Sequence, residues 1–289
     1  MAIAVAPTSD SWVKRSFGRL RHDPQLAISL AIILLSMLAI GGAGVLAPAS
    51  PLAQHVVDRL QPPSLEHLFG TDQLGRDVFS RVLYGGRASV PAAIAVVVMG
   101  STLGTALGAL AGYGGRLTDE VVMRLTDMML AFPVLVLAMA VAAALGASLA
   151  HGVIALTVVW WPQYVRVCRG LVLDLREREY VTASKASGRT STSILLRVIL
   201  PNALPTLLVM AAIDIGRAIL NFSILSFLGL GARPPDPEWG SMVSSGAEVM
   251  DQWWVATFPG LTILLLVFGF NLLGDSIRDA LDPWVGGRR

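Results

Sequence analysis

The chain has 289 residues, of which 54% are hydrophobic and only 15% charged. A soluble domain carries roughly a quarter charged residues, so this composition excludes a water-coated globule and implies an integral membrane protein with short loops. The 22 Lys+Arg and 20 Asp+Glu leave a net charge of +2, too weak a field to grip a nucleic acid, and the single cysteine, Cys168, excludes an internal disulfide and a Cys-based metal site.

The first long apolar run covers 26–46 and follows Lys14, Arg15, Arg19 and Arg21. Ala47-Pro48-Ala49 has the small-x-small form of a cleavage site, but the run is longer than the roughly 7 to 15 residues of a signal h-region, so a retained span is expected. Further runs at 89–111, 128–145, 152–165, 204–230 and 255–273 bring the expected spans to six. The fourth is short, with Trp160 and Trp161 placed like interface anchors, and the fifth carries Asp214 and Arg217. Pro133 lies inside the third and is expected to kink it.

With the N-terminus inside, the inner segments hold Lys14, Arg15, Arg19, Arg21, Arg116, Arg124, Arg166, Arg169, Arg176, Arg178, Lys185, Arg189, Arg197, Arg278, Arg288 and Arg289. The outer loops hold only Arg59, Arg76, Arg81, Arg87 and Arg233. The positive-inside rule then puts both termini in the cytoplasm. The expected layout is a cytoplasmic segment 1–25, a first span with an external loop over 26–87, and a five-helix transmembrane domain over 88–285 whose one long inner connection is 166–201. No connection is long enough for a nucleotide-hydrolysing domain and no GxxxxGK[ST] loop occurs, so any drive from ATP must come from another chain.

Within the inner connection, Tyr180, Ala183, Ser184 and Ser187 recur at i, i+3, i+4, i+7, which predicts a helix with one mostly small face. Gly188 suits the left-handed residue that ends such a helix. Ser191 or Thr192 is then expected to cap a second short helix with Ile194, Leu195, Val198 and Ile199 on its apolar side, and Pro201 to end it and open the fifth span. A small-residue face admits close approach by another backbone.

This segment resembles the cytoplasmic EAA loop of bacterial ABC importer permeases, in the variant Glu179-Tyr180-Val181 followed by Ala183, with Gly188 and Ile199-Leu200-Pro201 in register and Ser184 in place of an alanine. Two other stretches are similar to the second permease of the dipeptide, oligopeptide and nickel branch. One is His67-Leu68-Phe69-Gly70-Thr71-Asp72-Gln73-Leu74-Gly75-Arg76-Asp77, running into Ser80-Arg81 and Tyr84-Gly85. The other is Leu228-Gly229-Leu230-Gly231 with Pro234-Pro235 and Glu238-Trp239-Gly240, and Asp282-Pro283 resembles the usual ending. The resemblance implies an all-α type I importer permease fold with six transmembrane helices. It implies half of a pseudo-symmetric pore formed with a second homologous permease, two ABC ATPases that bind ATP and Mg, and an extracytoplasmic peptide-binding lipoprotein, with no cofactor in this chain. Glu179, Tyr180, Ala183, Ser184, Gly188 and Pro201 would then form the ATPase-coupling loop. Short peptides are the implied cargo, with nickel, glutathione and opines as alternatives on the same machinery.

Asp214 and Arg217, at i, i+3 on the fifth span, can pair on one face, and with Asn221 one turn further they are candidates for the translocation path, where a zwitterionic peptide would meet both signs. Arg124 and Asp127 share that spacing and are expected to pair at the inner surface. Gly70, Thr71, Asp72, Gly75, Arg76 and Asp77 are candidates for an external gate or a dock for the binding protein. No residue group has catalytic spacing, and His22, His55, His67 and His151 show no ligand spacing, so neither an enzyme nor a metal site is expected. An ion-driven secondary transporter would spread acids over several spans and carry inverted repeats; the charges here concentrate on one span.

Overall fold

A computed structural model describes residues 23–281; Lys14, Arg15, Arg19, Arg21, Arg288, Arg289, His22 and the Asp282-Pro283 ending lie outside the described residues. Helix α1, Pro24–Gly41, starts on Asp23, whose carboxylate accepts from the Gln25 N–H at 2.9 Å, with Pro24 at the first turn where its missing N–H costs nothing. A short turn at Ala43–Leu46 follows, and then a looped segment with one 3-10 turn at Val56–Asp58.

Helix α2, Val78–Tyr113, begins well before the run at 89–111, because Asp77 caps it by accepting from the Ser80 N–H at 2.7 Å. The expected boundary between 87 and 88 therefore falls inside a continuous helix. Along α2, Gly100, Gly104, Gly108 and Gly112 form a four-residue repeat that lies against Trp160, Tyr164, Val165 and Val172 of α5, Leu149–Leu175. A Cβ at Gly104 would sit 2.4 Å from the Trp161 carbonyl oxygen, so glycine is what lets the two backbones approach this closely.

The third expected span is not one helix. Helix α3, Arg116–Leu130, and helix α4, Val134–Leu145, meet at 91° across Ala131, Phe132 and Pro133. Pro133 is the residue before α4, with ψ 128, so it starts a new helix in a new direction where a kink within one helix was expected. Helix α5 extends the run at 152–165 to 27 residues and leads into α6, Glu179–Ala186.

Helix α7, Ser191–Phe227, runs without interruption from the short second helix into the fifth span. The expected stop at Pro201 is thus corrected. Leu195–Ile199 widens into a π turn directly ahead of it and Pro201 falls in the first turn of the following α segment, where its missing donor is tolerated. The cap of the second helix is Thr190, one residue before the expected Ser191 or Thr192, with its hydroxyl accepting from the Ser193 N–H at 3.4 Å.

Helices α8, Trp239–Ala247, and α9, Trp254–Leu281, complete the order. Among the described residues, α1, α2, α7 and α9 are long and apolar enough to cross a membrane, and the bent α3–α4 pair makes up to five such spans against the six expected. Helix α5 carries Trp160, Trp161, Pro162 and Gln163 in its middle and is not among them. The core lies where α2, α5, α7 and α8 converge, with Leu156, Tyr164, Ile219, Phe222, Leu225 and Trp239 at 0 to 1% exposure.

Candidate functional site

Three places carry the candidate residues. The first is the connection between α5 and α7. The end of α6 satisfies its carbonyls by paired backbone bonds, Gly188 N–H to Lys185 O at 3.0 Å and Arg189 N–H to Ser184 O at 3.4 Å, with Gly188 at φ +77. This is the turn the sequence predicts. Only Val181 of α6 is buried; Glu179, Tyr180, Ala183 and Ser187 are exposed and Ser184 is half-buried. On the second short helix Ile194 and Ile199 are buried and Leu195 and Val198 half-buried, as the apolar pattern requires. Helix α6 therefore stands on one apolar foot and offers its small face to the outside. Just before it, the Asp174 carboxylate accepts from Arg178 at 2.8 Å and raises that guanidinium's already high pKa.

At the same end Arg124 and Asp127 do not pair with each other. Arg124 reaches Glu120 at 2.7 Å, Asp127 receives Arg166 from α5 at 2.7 Å, and Asp119 receives Arg169 bidentately. Sequence spacing within α3 could not reveal acceptors aimed across to α5.

The second place is the middle of α7. Asp214 and Arg217 pair as expected, Arg217 Nη1 donating to Asp214 Oδ1 at 3.1 Å. Asp214 is also held from α5, where Tyr164 Oη–H donates at 2.8 Å and Trp160 Nε1–H at 3.2 Å. Trp160 is thus a buried donor and not the interface anchor expected of it. The Asp214 side chain is 2% exposed and that of Arg217 51%, and Arg217 and Asn221 line a cavity of about 70 Å³ with Val134, Val159, Trp160 and Gln163.

The third place is the stretch before α2, and here Gly70, Thr71, Asp72, Gly75, Arg76 and Asp77 are all buried. Asp72 accepts from the Leu74 and Arg76 N–H groups and from Arg76 Nε at 2.7 Å, with Arg81 Nε at 3.5 Å. Asp77 caps α2 with one oxygen and meets His67 Nδ1 at 3.1 Å with the other. Gly70 and Gly75 take φ +71 and +69, and a Cβ on Gly75 would strike the His55 carbonyl at 1.8 Å. The Thr71 carbonyl accepts from Trp254 Nε1 at 3.1 Å, and Phe69 stacks on Phe258 at 3.9 Å, so the stretch is sewn to α9. The side chains of Thr71, Asp72, Arg76 and Asp77 are turned inward, whereas Leu65, Leu68 and Leu74 are among the exposed side chains of this segment.

Residues 104–287 match the family of binding-protein-dependent transport system inner membrane components. Over 93% of its length the chain is 46% identical to the probable D,D-dipeptide transport system permease protein DdpC of Escherichia coli, covering 91% of that protein. The chain belongs to this permease family. The permease is also 42% identical over 93% of its length to the dipeptide transport system permease protein DppC of Alkalihalophilus pseudofirmus, covering 89% of it. Among solved structures, an inward-facing form of the MetNI methionine ABC transporter matches with TM-score 0.58 and 19% identity, over 70% of the permease and 96% of that chain, which establishes the shared fold.

Two features of the permease escaped the reading of its sequence. Glu238, 0% exposed, accepts from Ser89 Oγ of α2 at 2.9 Å, from Ser226 Oγ of α7, and from the Gly240 and Ser241 N–H groups of α8, so one carboxylate ties three helices. The only sequence signal for it was Glu before Trp-Gly at a helix start, which reads equally well as a simple N-cap. Tyr164 and Trp160 have no local pattern that links them to Asp214, 50 and 54 residues away. The glycine repeat at 100, 104, 108 and 112, which the sequence analysis also passed over, marks the α2–α5 crossing.

Proposed function

We propose that this permease is one half of the pore of an ATP-driven importer for short peptides, working beside a second homologous permease, two ABC ATPases that hold ATP and Mg, and an extracytoplasmic peptide-binding lipoprotein. The observation that carries the reading is α6. A helix held by Val181 alone, with Tyr180, Ala183 and Ser187 facing outward and a rigid glycine turn behind it, is built to be gripped by another protein. Glu179, Tyr180, Ala183, Ser184 and Gly188 form the gripped surface, and Pro201 lies near the start of α7, the rigid helix that carries the motion into the membrane. The two dipeptide permeases to which the chain is similar support peptide as cargo. The cation distribution supports cytoplasmic termini and a cytoplasmic α6.

In this reading ATP closes the ATPase pair and moves the docked α6 segments, which shifts the bundle from inward-open to outward-open. Such a shift requires the ATPases to bind the two states with different affinity. The translocation path runs along Arg217 and Asn221, since a half-exposed guanidinium at membrane depth is costly against lipid and cheap against water or protein. The buried stretch around Asp72 and Asp77 acts as a rigid outer brace for α2 and α9.

The test is dipeptide uptake by the full complex in proteoliposomes. Gly188→Trp and Ala183→Asp should remain inserted and lose ATP-dependent uptake, and omitting the ATPases should abolish it. Uptake that continued without an ATPase would point to an ion-driven transporter.

A further inference from the structure

A peptide has two charged ends, and the paired Asp214 and Arg217 would serve both only if both were accessible. They are not. The Asp214 carboxylate is enclosed and already receives Tyr164 Oη, Trp160 Nε1 and Arg217 Nη1 at 2.8, 3.2 and 3.1 Å. Three donors offset its charge and occupy most of its lone pairs, so it has little left to offer an ammonium group. Arg217 is the reverse case. It is half exposed, has given one N–H to Asp214, and keeps the rest of a five-donor fork for a ligand.

The surroundings repeat this polarity. Asn221 Nδ2 donates back to the Arg217 carbonyl at 2.7 Å and packs against the helix turn that carries the guanidinium. Gln163 of α5 brings an amide to the same cavity, and Val134 and Val159 form its apolar walls. At about 70 Å³ the cavity is far smaller than the roughly 300 Å³ at which whole-ligand pockets begin, so it fits a chemical group and not a molecule.

The geometry points to a carboxylate-binding subsite, in which the Arg217 guanidinium and the Gln163 amide receive the terminal carboxylate of a peptide in transit. Asp214 and Tyr164 are positioning residues that aim the guanidinium without touching cargo, while Trp160 both donates to Asp214 and forms part of the cavity wall. The subsite rests on the translocation-path reading given above. It favours peptides with a free C-terminus and repels an approaching amino terminus, which replaces a two-signed site with a one-signed one. The bidentate match between guanidinium and carboxylate supplies the selectivity.

The experiment uses the purified complex and phenylglyoxal, with the adduct at Arg217 read by mass spectrometry. Arg217 should be modified in the absence of peptide. Alanyl-alanine at millimolar concentration should slow the modification, and alanyl-alanine amide should not. Arg217→Gln should lower alanyl-alanine uptake about tenfold, the effect of one lost charge-assisted contact. If that variant fails to assemble because Asp214 is left unpaired, Asp214→Asn with Arg217→Gln restores neutrality and is assayed in its place. Tyr164→Phe should reduce the difference in protection between acid and amide, a readout that a purely structural tyrosine would leave alone. No modification without peptide, equal protection by acid and amide, or unchanged uptake in the variant would each overturn the subsite. Absence of ATP-dependent uptake in the unsubstituted complex would instead overturn the importer reading.

Discussion

Gly104 lies at the tightest part of the crossing between α2 and α5, and alanine there measures how far the crossing depends on glycine. The new Cβ would be 2.4 Å from the Trp161 carbonyl oxygen and 2.5 Å from Tyr164 Cβ, about 1 Å short of ordinary contact. Neither neighbour is the free end of a flexible side chain, so the helices themselves must separate. Overpacking of this kind costs about 1–3 kcal/mol, against which the better helix propensity of alanine returns up to about 1 kcal/mol. The separation also draws Tyr164 away from Asp214, now 2.8 Å distant, and a buried carboxylate that loses a donor costs about 1–3 kcal/mol more. Gly170→Ala is the control, because a Cβ there meets nothing within 4 Å and only the propensity gain remains. The propensity gain is common to both and cancels, so the two variants should differ by about 4 kcal/mol, or roughly 8–16 °C in Tm for a chain of this size. Tryptophan fluorescence during thermal unfolding in detergent reads this directly, since Trp160 and Trp161 sit at the contact. Equal unfolding temperatures for Gly104→Ala and Gly170→Ala would show that the α2–α5 crossing is not set by the glycine stripe.

Glu238→Leu should be the most damaging single change outside the glycine stripe, because it strands the donors of Ser89, Ser226, Gly240 and Ser241. At about 1–3 kcal/mol for each unsatisfied group, folded protein should be lost from the detergent-soluble fraction on size-exclusion chromatography, while Ser89→Ala, which strands only the Trp239 N–H, should cost about 1–3 kcal/mol and survive. Asp127→Asn should shift Tm by no more than the equivalent of about 1 kcal/mol, since its pair with Arg166 is 60% and 57% exposed. Gly188→Ala should cost about 1–2 kcal/mol of α6 stability from the left-handed φ of +77 yet retain part of the uptake, in contrast to Gly188→Trp, and uptake assays on both separate backbone strain from a blocked surface. Asp77→Ala should lower Tm by the equivalent of about 1–2 kcal/mol through loss of the α2 cap and the His67 contact.

Part of the local chemistry that closes within about one turn of chain was legible. The Gly188 turn, the Asp214–Arg217 pair and the apolar face of Ile194 and Ile199 all depend on groups three to six residues apart, and all stand as read. The errors have the same origin in reverse. Arg124 and Asp127 had the right spacing to pair, but Arg166 on α5 competes for Asp127, and intrahelical spacing carries no information about the facing helix. Pro133 announced a disturbance, but whether the chain kinks or turns through 91° depends on what α3 and α4 each pack against. The charged stretch from Gly70 to Asp77, expected to serve as an external gate or a dock, gave no sign in sequence of its burial, because charge usually means water. It is buried because Asp72 pairs with Arg76 and lies near Arg81, Arg81 also donates to the Pro51 and Pro235 carbonyls, and two left-handed glycines let the backbone close turns on itself.

By itself the sequence determined that this chain belongs in a membrane, and that the long connection at 166–201 ends a small-faced helix on a glycine. These follow from transfer free energies and backbone sterics, which act residue by residue. Tertiary structure alone decided which charges are accessible. Asp214 and Arg217 are equivalent partners on a helical wheel, yet contact with Tyr164 and Trp160 across 50 residues or more encloses the acid and leaves the base facing a cavity. Burial is a property of neighbours brought together by packing, and for an ionised group in a low-dielectric interior it decides between holding the fold and meeting a ligand.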